Sequence, residues 1–305
     1  MNAIPRRGWL CVALFCSSLS ASLHAAEPYT LDEKDLAFSR QQIAAKDPLF
    51  VLAQAALLKK ADLALTHPLR SVMDKTLVAA SGNKHDYYSF PPYWWPNPDT
   101  KDGLPYIRKD GQTNPDANSD ATDKNRLVKM SQDVSTLALA WYFSHDARYA
   151  QKAAAQLKTW FLDPQTRMNP NLQYAQAIPG INNGRGIGII DSRALVEVVD
   201  AIALLQSSAV LSEKDVSALK QWFGEYYHWM TTSQNGFEED NWHNNHGSYF
   251  DMQAVTFALF SGKTDEAKQR LYLTQLRRIA GQFDIEGRQM AELERTRPWH
   301  YSNFK

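Results

Sequence analysis

The sequence predicts an all-α fold, and three observations support that prediction. Apolar residues recur at helical spacing along almost the whole chain. Pro164 and the pair Ser212 and Asp215 mark a helix stop and a helix start, the latter as a capping box. No strand-rich section and no phosphate-binding glycine loop is evident in the pattern. The repeated order of helix, loop and helix therefore predicts an array of antiparallel helix pairs.

Each predicted helix rests on its own local pattern. The first region has Asp32 near its start and an apolar face rich in alanine and leucine, and it is predicted to form one or two helices. The segment from Val128 places Leu137 and Trp141 four residues apart on one face. The predicted helical segments are 31–65, 128–143, 146–161, 192–205, 211–230, 251–261 and 264–286.

Two long irregular stretches, 81–125 and 164–191, interrupt the helices. The first contains the string SFPPYWWPNP, whose four prolines exclude a helix, followed by Lys101 and Arg108. The second carries Arg185 in an Asn-Asn-Gly-Arg-Gly sequence. Long insertions in compact domains are usually functional, so both are predicted to lie over one end of a helical barrel.

Residues 1–25 have the pattern of a secretory signal peptide, with two arginines, an apolar run and small residues before Ala26. The apolar run is broken by serines and is too short to span a bilayer. The prediction is one domain over 26–305 that is periplasmic or secreted and not membrane-bound after cleavage. Cys11 and Cys16 both lie in the leader, so the mature chain would have no thiol chemistry.

The amino-acid composition indicates which classes of ligand the protein could bind. The 33 basic and 33 acidic residues balance, which argues against a nucleic-acid binder. Nine Trp and thirteen Tyr are many for a helical protein, and several fall in loop-like stretches. Aromatic rings outside a core can stack on flat ligands such as sugar rings. The candidate stacking residues are Tyr87, Tyr88, Trp94 and Trp95.

The run 241–249, NWHNNHGSY, has the highest density of hydrogen-bonding chemistry in the chain. It precedes an apolar helical segment, which predicts a site at a loop-to-helix junction facing a cleft; the alternative is that Asn and His only cap the helix. His243 and His246 also have the H-x-x-H spacing of metal ligands. No third ligand stands at a persuasive spacing, so neither a metal nor another cofactor is predicted; the alternative is a metal site with Asp240 or Glu239 as the third ligand.

Three strings, SFPPYWWPNP, NNHGSYFDMQ and ELERTRPWHYSNF, together resemble the alginate lyase superfamily of polysaccharide lyases. The resemblance implies a secreted α/α toroid that cleaves an anionic polyuronate, alginate or glucuronan, by β-elimination. The aromatic–proline string is more similar to the branch that acts on several uronans. Because such toroids continue with further helices, the fold expected for residues up to Lys305 is an incomplete toroid.

The resemblance also implies roles for individual residues. Asn245, supported by Asn244, would neutralise the substrate carboxylate, while His246 and Tyr301 would share the roles of base and acid. Arg295 or Arg297 would be a second carboxylate or phenolate partner, with Arg295 preferred; the alternative is that these arginines pair with glutamates on a helix face. The other expected substrate contacts are His243, His300, Arg185, Lys101 and Arg108.

Two other classes of function remain open from the sequence. A glycoside hydrolase on the same helical fold needs two carboxyls that flank the scissile bond. The carboxyl groups available for that role are Asp191, Glu197, Glu238, Glu239 and Asp240. A non-catalytic uronan-binding protein of the periplasm would instead use the aromatic surfaces for stacking without turnover.

Overall fold

The computed structural model describes residues 28–295, and this part of the chain is mostly helical. The all-α prediction is confirmed. The α-helices of this region are α1 (Glu33–Ala44), α2 (Pro48–Thr66), α3 (Lys124–Ser144), α4 (Ala147–Leu157), α5 (Leu195–Leu205), α6 (Glu213–Thr232), α7 (Gln234–Asp240), α8 (Asn245–Phe260), α9 (Thr264–Thr274) and α10 (Met290–Leu293).

Helices α3 and α8 are central to the packing. Helix α3 contacts α2, α4 and α5, and α8 contacts α5, α6, α7 and α9. Aromatic side chains pack α6 against its neighbours: the ring centroids of Phe161, just after α4, and Trp222 are 4.7 Å apart, and those of Phe223 and Phe257 are 5.1 Å apart. Large buried aromatic rings contribute much of the packing energy of such a core, and they therefore hold the helices that carry the site in place.

Several helix boundaries differ from the prediction. Helix α8 begins at Asn245 rather than 251, because the side chain of Asn244 accepts a hydrogen bond from the His246 amide at 3.1 Å and caps the helix. The predicted helix 264–286 ends a few residues early: α9 continues through a π-helical turn, Gln275–Ala280, and a last helical pair at 281–282. The capping box at the start of α6 is confirmed, with Ser212 Oγ accepting from the Asp215 amide at 3.1 Å.

The two long loops are joined to each other and to the helices. The Ala177 amide donates to Ser89 O at 2.9 Å, and the Gln176 amide donates to Ser89 Oγ at 2.8 Å. The base of the first loop is held by Lys75 and Asp123, whose side chains form a fully buried ion pair of 2.9 Å. Burial raises the pKa of Asp123 to about 6, although Lys75 opposes that shift. The loops therefore form one connected wall.

A short hairpin lies inside the first loop. Its strands are β1 (Trp94–Trp95) and β2 (Ile107–Arg108), which pair antiparallel with Trp94 opposite Arg108. A 3₁₀ turn, Gly186–Ala194, ends the second loop and leads into α5. Between residues 28 and 295, no helix has the length and apolarity needed to cross a membrane. The predicted signal peptide and the residues Arg297, His300 and Tyr301 lie outside the described range.

Candidate active site

A cleft of about 720 Å³ lies between the two loops, the start of α8 and the segment around α10. It brings together eight of the residues that the sequence predicted for a site. These are Trp94, Arg108, Arg185, His243, Asn244, Asn245, His246 and Arg295. The prediction that the 241–249 run faces a cleft at a loop-to-helix junction therefore agrees with the structure.

His246 stands in the first turn of α8 and is fixed by a carboxylate. Its Nδ1 lies 2.8 Å from Glu239 Oε1, and the two side chains are 15% and 1% exposed. Burial raises the pKa of Glu239, an effect opposed by the hydrogen bond and charge interaction with His246. The cap formed by Asn244 holds the same turn, so the imidazole has a defined position on the cleft wall.

The two asparagines have different surroundings. Asn244 is buried, and its main-chain carbonyl accepts from Gln282 Nε2 at 3.0 Å in addition to the cap made by its side chain. The main-chain amide of Asn245 donates to Glu292 Oε1 at 3.2 Å. Among residues 28–295 the carboxamide of Asn245 has no hydrogen-bond partner, and the residue lines the cleft. Asn245 can therefore offer its amide to a ligand, whereas Asn244 supports the turn.

Cationic side chains enter the cleft from the loops and from the C-terminal segment. Arg185 donates from Nη2 to Gln176 Oε1 at 2.8 Å, and burial lowers its pKa to about 10 while Glu238 acts to raise it. It thus remains protonated near neutral pH. Arg295 and Arg108 lie 2.8 and 2.9 Å from the same oxygen of Asp110. Pairing with a helix-face glutamate was the alternative for Arg295, and the ion pair seen here is instead with Asp110 of the first loop.

Some predicted contacts do not reach the cleft. Tyr87 as a stacking residue is wrong, because its ring is fully buried and its hydroxyl donates to Asp191 at 3.2 Å. Tyr88 lines a separate depression near Pro179 rather than the cleft. Trp95 is only partly exposed and lies outside the cleft lining, where its Nε1 donates to Gln112 O at 3.0 Å.

Lys101 is exposed on the first loop and also lies outside the cleft lining. The described cleft therefore gives no support to its expected position near a substrate carboxylate. Trp94 alone of the four candidate stacking residues lines the cleft. Trp94 is opposite Arg108 in the hairpin, and both residues line the cleft. The hairpin therefore places an aromatic ring and a cation next to each other.

The carboxyl groups considered for a hydrolase are either engaged by neighbouring groups or lie outside the cleft lining. Asp191 is buried and accepts from Ser89 Oγ at 2.7 Å and Gln176 Nε2 at 3.1 Å. Asp240 forms ion pairs with three arginines, and Glu238 accepts a hydrogen bond from the Gly186 amide. Glu197 is exposed on α5 and lies outside the cleft lining. Glu239 holds His246. These contacts do not favour an opposed pair of free carboxyls.

Other cleft residues were missed by sequence reasoning. Arg193 lies near the end of the 3₁₀ turn, and its guanidinium carbon is 5.7 Å from the centroid of the Tyr249 ring. Lys124 stands at the start of α3. A signal for Tyr249 was present, because it follows His246 by three residues and so shares its helix face. No comparable signal marked Arg193 or Lys124, which ordinary charge patterning assigns to solvent.

A metal site is not formed by the described residues. No group of three His, Cys, Asp or Glu side chains in the range 28–295 has a geometry suited to a metal ion. His243 is exposed, and Nδ1 of His246 is already engaged by Glu239.

A helical array whose loops enclose a cationic cleft containing histidine and asparagine matches the class of polysaccharide lyases, and the comparisons with known proteins establish that class. The alginate lyase family model matches residues 71–305, so the chain belongs to the alginate lyase family. The suspected family and the α/α toroid type are thereby confirmed.

The structure is similar to two solved alginate lyases. One, from Bacteroides ovatus, has 44% identity and a TM-score of 0.87, and the match covers 90% of this chain and 72% of that chain. The other, alginate lyase A1-III from Sphingomonas species A1, has 15% identity and a TM-score of 0.46, with 80% and 64% covered. A search of curated proteins gave no match.

Proposed function

We propose that this polysaccharide lyase cleaves an anionic polyuronate, alginate or glucuronan, by β-elimination in the described cleft. The observation that carries the proposal is that Asn245 and His246, which share one helix turn, line the same cleft as Arg185 and Arg295. Carboxylates spaced along a polymer need several separate cations and amides, which suits a protein of balanced charge with local basic groups.

The first requirement of the reaction is neutralisation of the uronate carboxylate. The C5 proton is weakly acidic until the adjacent carboxylate loses its negative charge to hydrogen bonds or cations. Asn245 and Arg295 supply those contacts in the proposal, with Arg297 as a further candidate. A preorganised donor aimed at developing negative charge contributes about 3–4 kcal/mol to transition-state stabilisation.

The proton transfers then complete the elimination. A base takes the C5 proton, the released electron pair forms the C4=C5 double bond, the bond from C4 to the glycosidic oxygen breaks, and an acid protonates that oxygen. His246 and Tyr301 divide these roles. For an anti elimination His246 is the base and Tyr301 the acid, whereas for a syn elimination Tyr301 does both.

The assignment of Tyr301 rests on its place in the ELERTRPWHYSNF string, since it lies outside the described residues. Arg295, six residues earlier, lines the cleft and thus supports it. Trp94, His243 and His300 are the proposed sugar contacts. The export proposal rests on residues 1–25 and on the family, and it predicts that the N-terminus of protein recovered from the periplasm or medium begins near Ala26.

The substrate test is a screen of polymannuronate, polyguluronate, glucuronan and neutral glucans for the near-ultraviolet absorbance of an unsaturated sugar end. Activity on at least one uronan is expected, and activity confined to neutral glucans contradicts the proposal. Binding of uronan oligomers without turnover, unchanged in Tyr301→Phe, would instead indicate a non-catalytic binding protein.

The residue roles are tested by paired variants on the best uronan. Tyr301→Phe keeps the ring and removes the proton carrier, so turnover should fall at least about 10²-fold with binding largely kept. His246→Ala should impair an anti substrate more than a syn one. His228→Ala and Tyr272→Phe are matched controls because both residues are exposed and neither lines the cleft. Near-normal turnover of Tyr301→Phe on every uronan would remove the phenol from the mechanism.

A further inference from the structure

Glu239 is a buried carboxylate in contact with the candidate base. It lies near the end of α7 and is fully buried, while its Oε1 is 2.8 Å from His246 Nδ1. The second oxygen, Oε2, is buried and has no hydrogen-bond partner within residues 28–295. Burying a carboxylate with so few partners is costly, so its presence beside the imidazole indicates a role other than stability.

We infer that Glu239 is a positioning residue for the elimination: it holds His246 with the proton on Nδ1 and the lone pair of Nε2 directed to the substrate. The inference rests on the proposed function, in which His246 takes the C5 proton of a substrate that undergoes anti elimination. A carboxylate can only accept a hydrogen bond, so the nitrogen facing Glu239 must carry the proton. The other ring nitrogen is then free to act as base.

The carboxylate also has an electrostatic role in the same step. When Nε2 takes the C5 proton, the ring becomes an imidazolium whose positive charge lies next to ionised Glu239. An adjacent opposite charge in a water-poor site favours that charged form. Glu239 thus stabilises the ring after proton transfer without itself contacting the substrate.

Other charged groups near Glu239 modify this effect. Glu238 and Asp191 raise the pKa of Glu239, whereas His246 lowers it. Arg185 interacts electrostatically with Glu239 from the second loop. Because the neighbourhood contains charges of both signs, the direct contact with His246 is the interaction that the experiment must isolate.

The surrounding backbone indicates that the contact is built into the fold. A Cβ at Gly186 would lie 2.3 Å from Asn235 O and 2.6 Å from Glu238 Cβ, so the second loop approaches α7 where only glycine fits. A Cβ at Gly247 would lie 2.2 Å from Trp242 O. Glycines on both sides allow the loop, α7 and the start of α8 to pack closely enough for the Glu239–His246 contact.

The test is Glu239→Gln in the full chain. Gln keeps the size and removes the charge, and its amide can donate to Nδ1 and favour the unproductive tautomer. On an anti substrate we expect kcat to fall by about 10²–10⁴-fold, as when a histidine loses its carboxylate partner, with KM within about threefold. The acid limb of the kcat/KM profile should move to lower pH, and nitrogen NMR of the His246 ring should report loss of the Nδ1-protonated form.

Controls separate this role from a structural one and from failure of the proposed function. Glu225→Gln is the matched control, since Glu225 is exposed on α6 and also accepts a side-chain hydrogen bond, from Gln221 at 2.8 Å. Glu239→Gln added to His246→Ala should cause no further loss. If His246→Ala is inactive while Glu239→Gln keeps the parent kcat, pH profile and tautomer, this inference alone is overturned. If His246→Ala is fully active on every uronan, the proposed function fails first.

Discussion

Arg278 anchors the segment that leads into the Asn244–His246 turn. Its guanidinium is nearly buried and donates to Asp240 O at 2.8 Å and to Trp242 O at 3.1 Å. It also forms ion pairs with Asp240 at 2.8 Å and with Asp251 at 2.9 Å. We expect Arg278→Ala to lower both stability and turnover, because one side chain connects α9 and its π-helical extension to this segment and to α8.

The magnitude follows from what the substitution leaves unpaired. Removing one partner of a buried ion pair costs about 3–5 kcal/mol. Asp240 and Asp251 both keep Arg270, at 2.7 and 3.2 Å, and Asp240 also keeps Arg277. The expected loss is therefore at the lower end, about 3 kcal/mol. For a domain of this size that corresponds to a decrease in Tm of about 5 °C.

The assay is urea unfolding followed by circular dichroism, with turnover measured on the same preparation. Arg288→Ala is the control, because Arg288 is exposed and its pairs with Asp284 and Glu286 lie at the surface. Arg278→Lys keeps the charge but not the forked geometry and should fall between parent and Arg278→Ala. A loss for Arg278→Ala no larger than that of the Arg288 control refutes the reasoning.

Three further predictions concern the same cleft. Gly247→Ala should lower the free energy of unfolding by about 1–3 kcal/mol, since the added carbon would lie 2.2 Å from a backbone carbonyl oxygen. Gly281→Ala is the control: its added carbon would have its nearest neighbour at 3.5 Å, so thermal unfolding should be nearly unchanged. Burial raises the pKa of Glu239, so its ionisation costs stability as pH rises through that pKa. Glu239→Gln should therefore be at least as stable as the parent near pH 7, and the difference should shrink as the pH falls toward 4; a Tm below the parent at neutral pH contradicts this. Trp94→Ala should raise KM about tenfold through loss of stacking, and Trp95→Ala, outside the cleft lining, should raise it less; equal effects would show that the cleft face of the hairpin is wrongly assigned.

Helical periodicity and capping carried most of the fold prediction. The Ser212–Asp215 pair marked the start of α6 because both side chains satisfy amides within one turn. The end of α9 was missed, since the widening into a π-helical turn at 275–280 leaves no sign in the apolar pattern. Local patterns therefore predicted that helices exist better than where they end.

The candidate site was only partly predictable. The carboxamides and imidazoles at 243–246 were conspicuous in sequence, and they share a turn in the structure. Tyr87 was chosen for its aromatic loop context, but composition does not reveal which ring is buried beneath a loop. Glu239 was considered only as a carboxyl, and its contact with His246 was not predicted. That contact depends on how α7 packs against α8, which the spacing of residues along the chain does not reveal.

The central claim is that this cleft breaks uronan chains by elimination rather than by hydrolysis. The most direct measurement counts new reducing ends and new unsaturated ends in the same digest of the preferred uronan. Elimination predicts one new unsaturated end for every new reducing end. With His246→Ala on an anti substrate, neither kind of end should increase. New reducing ends without near-ultraviolet absorbance would mean that water had been added to the bond, and the account would be wrong.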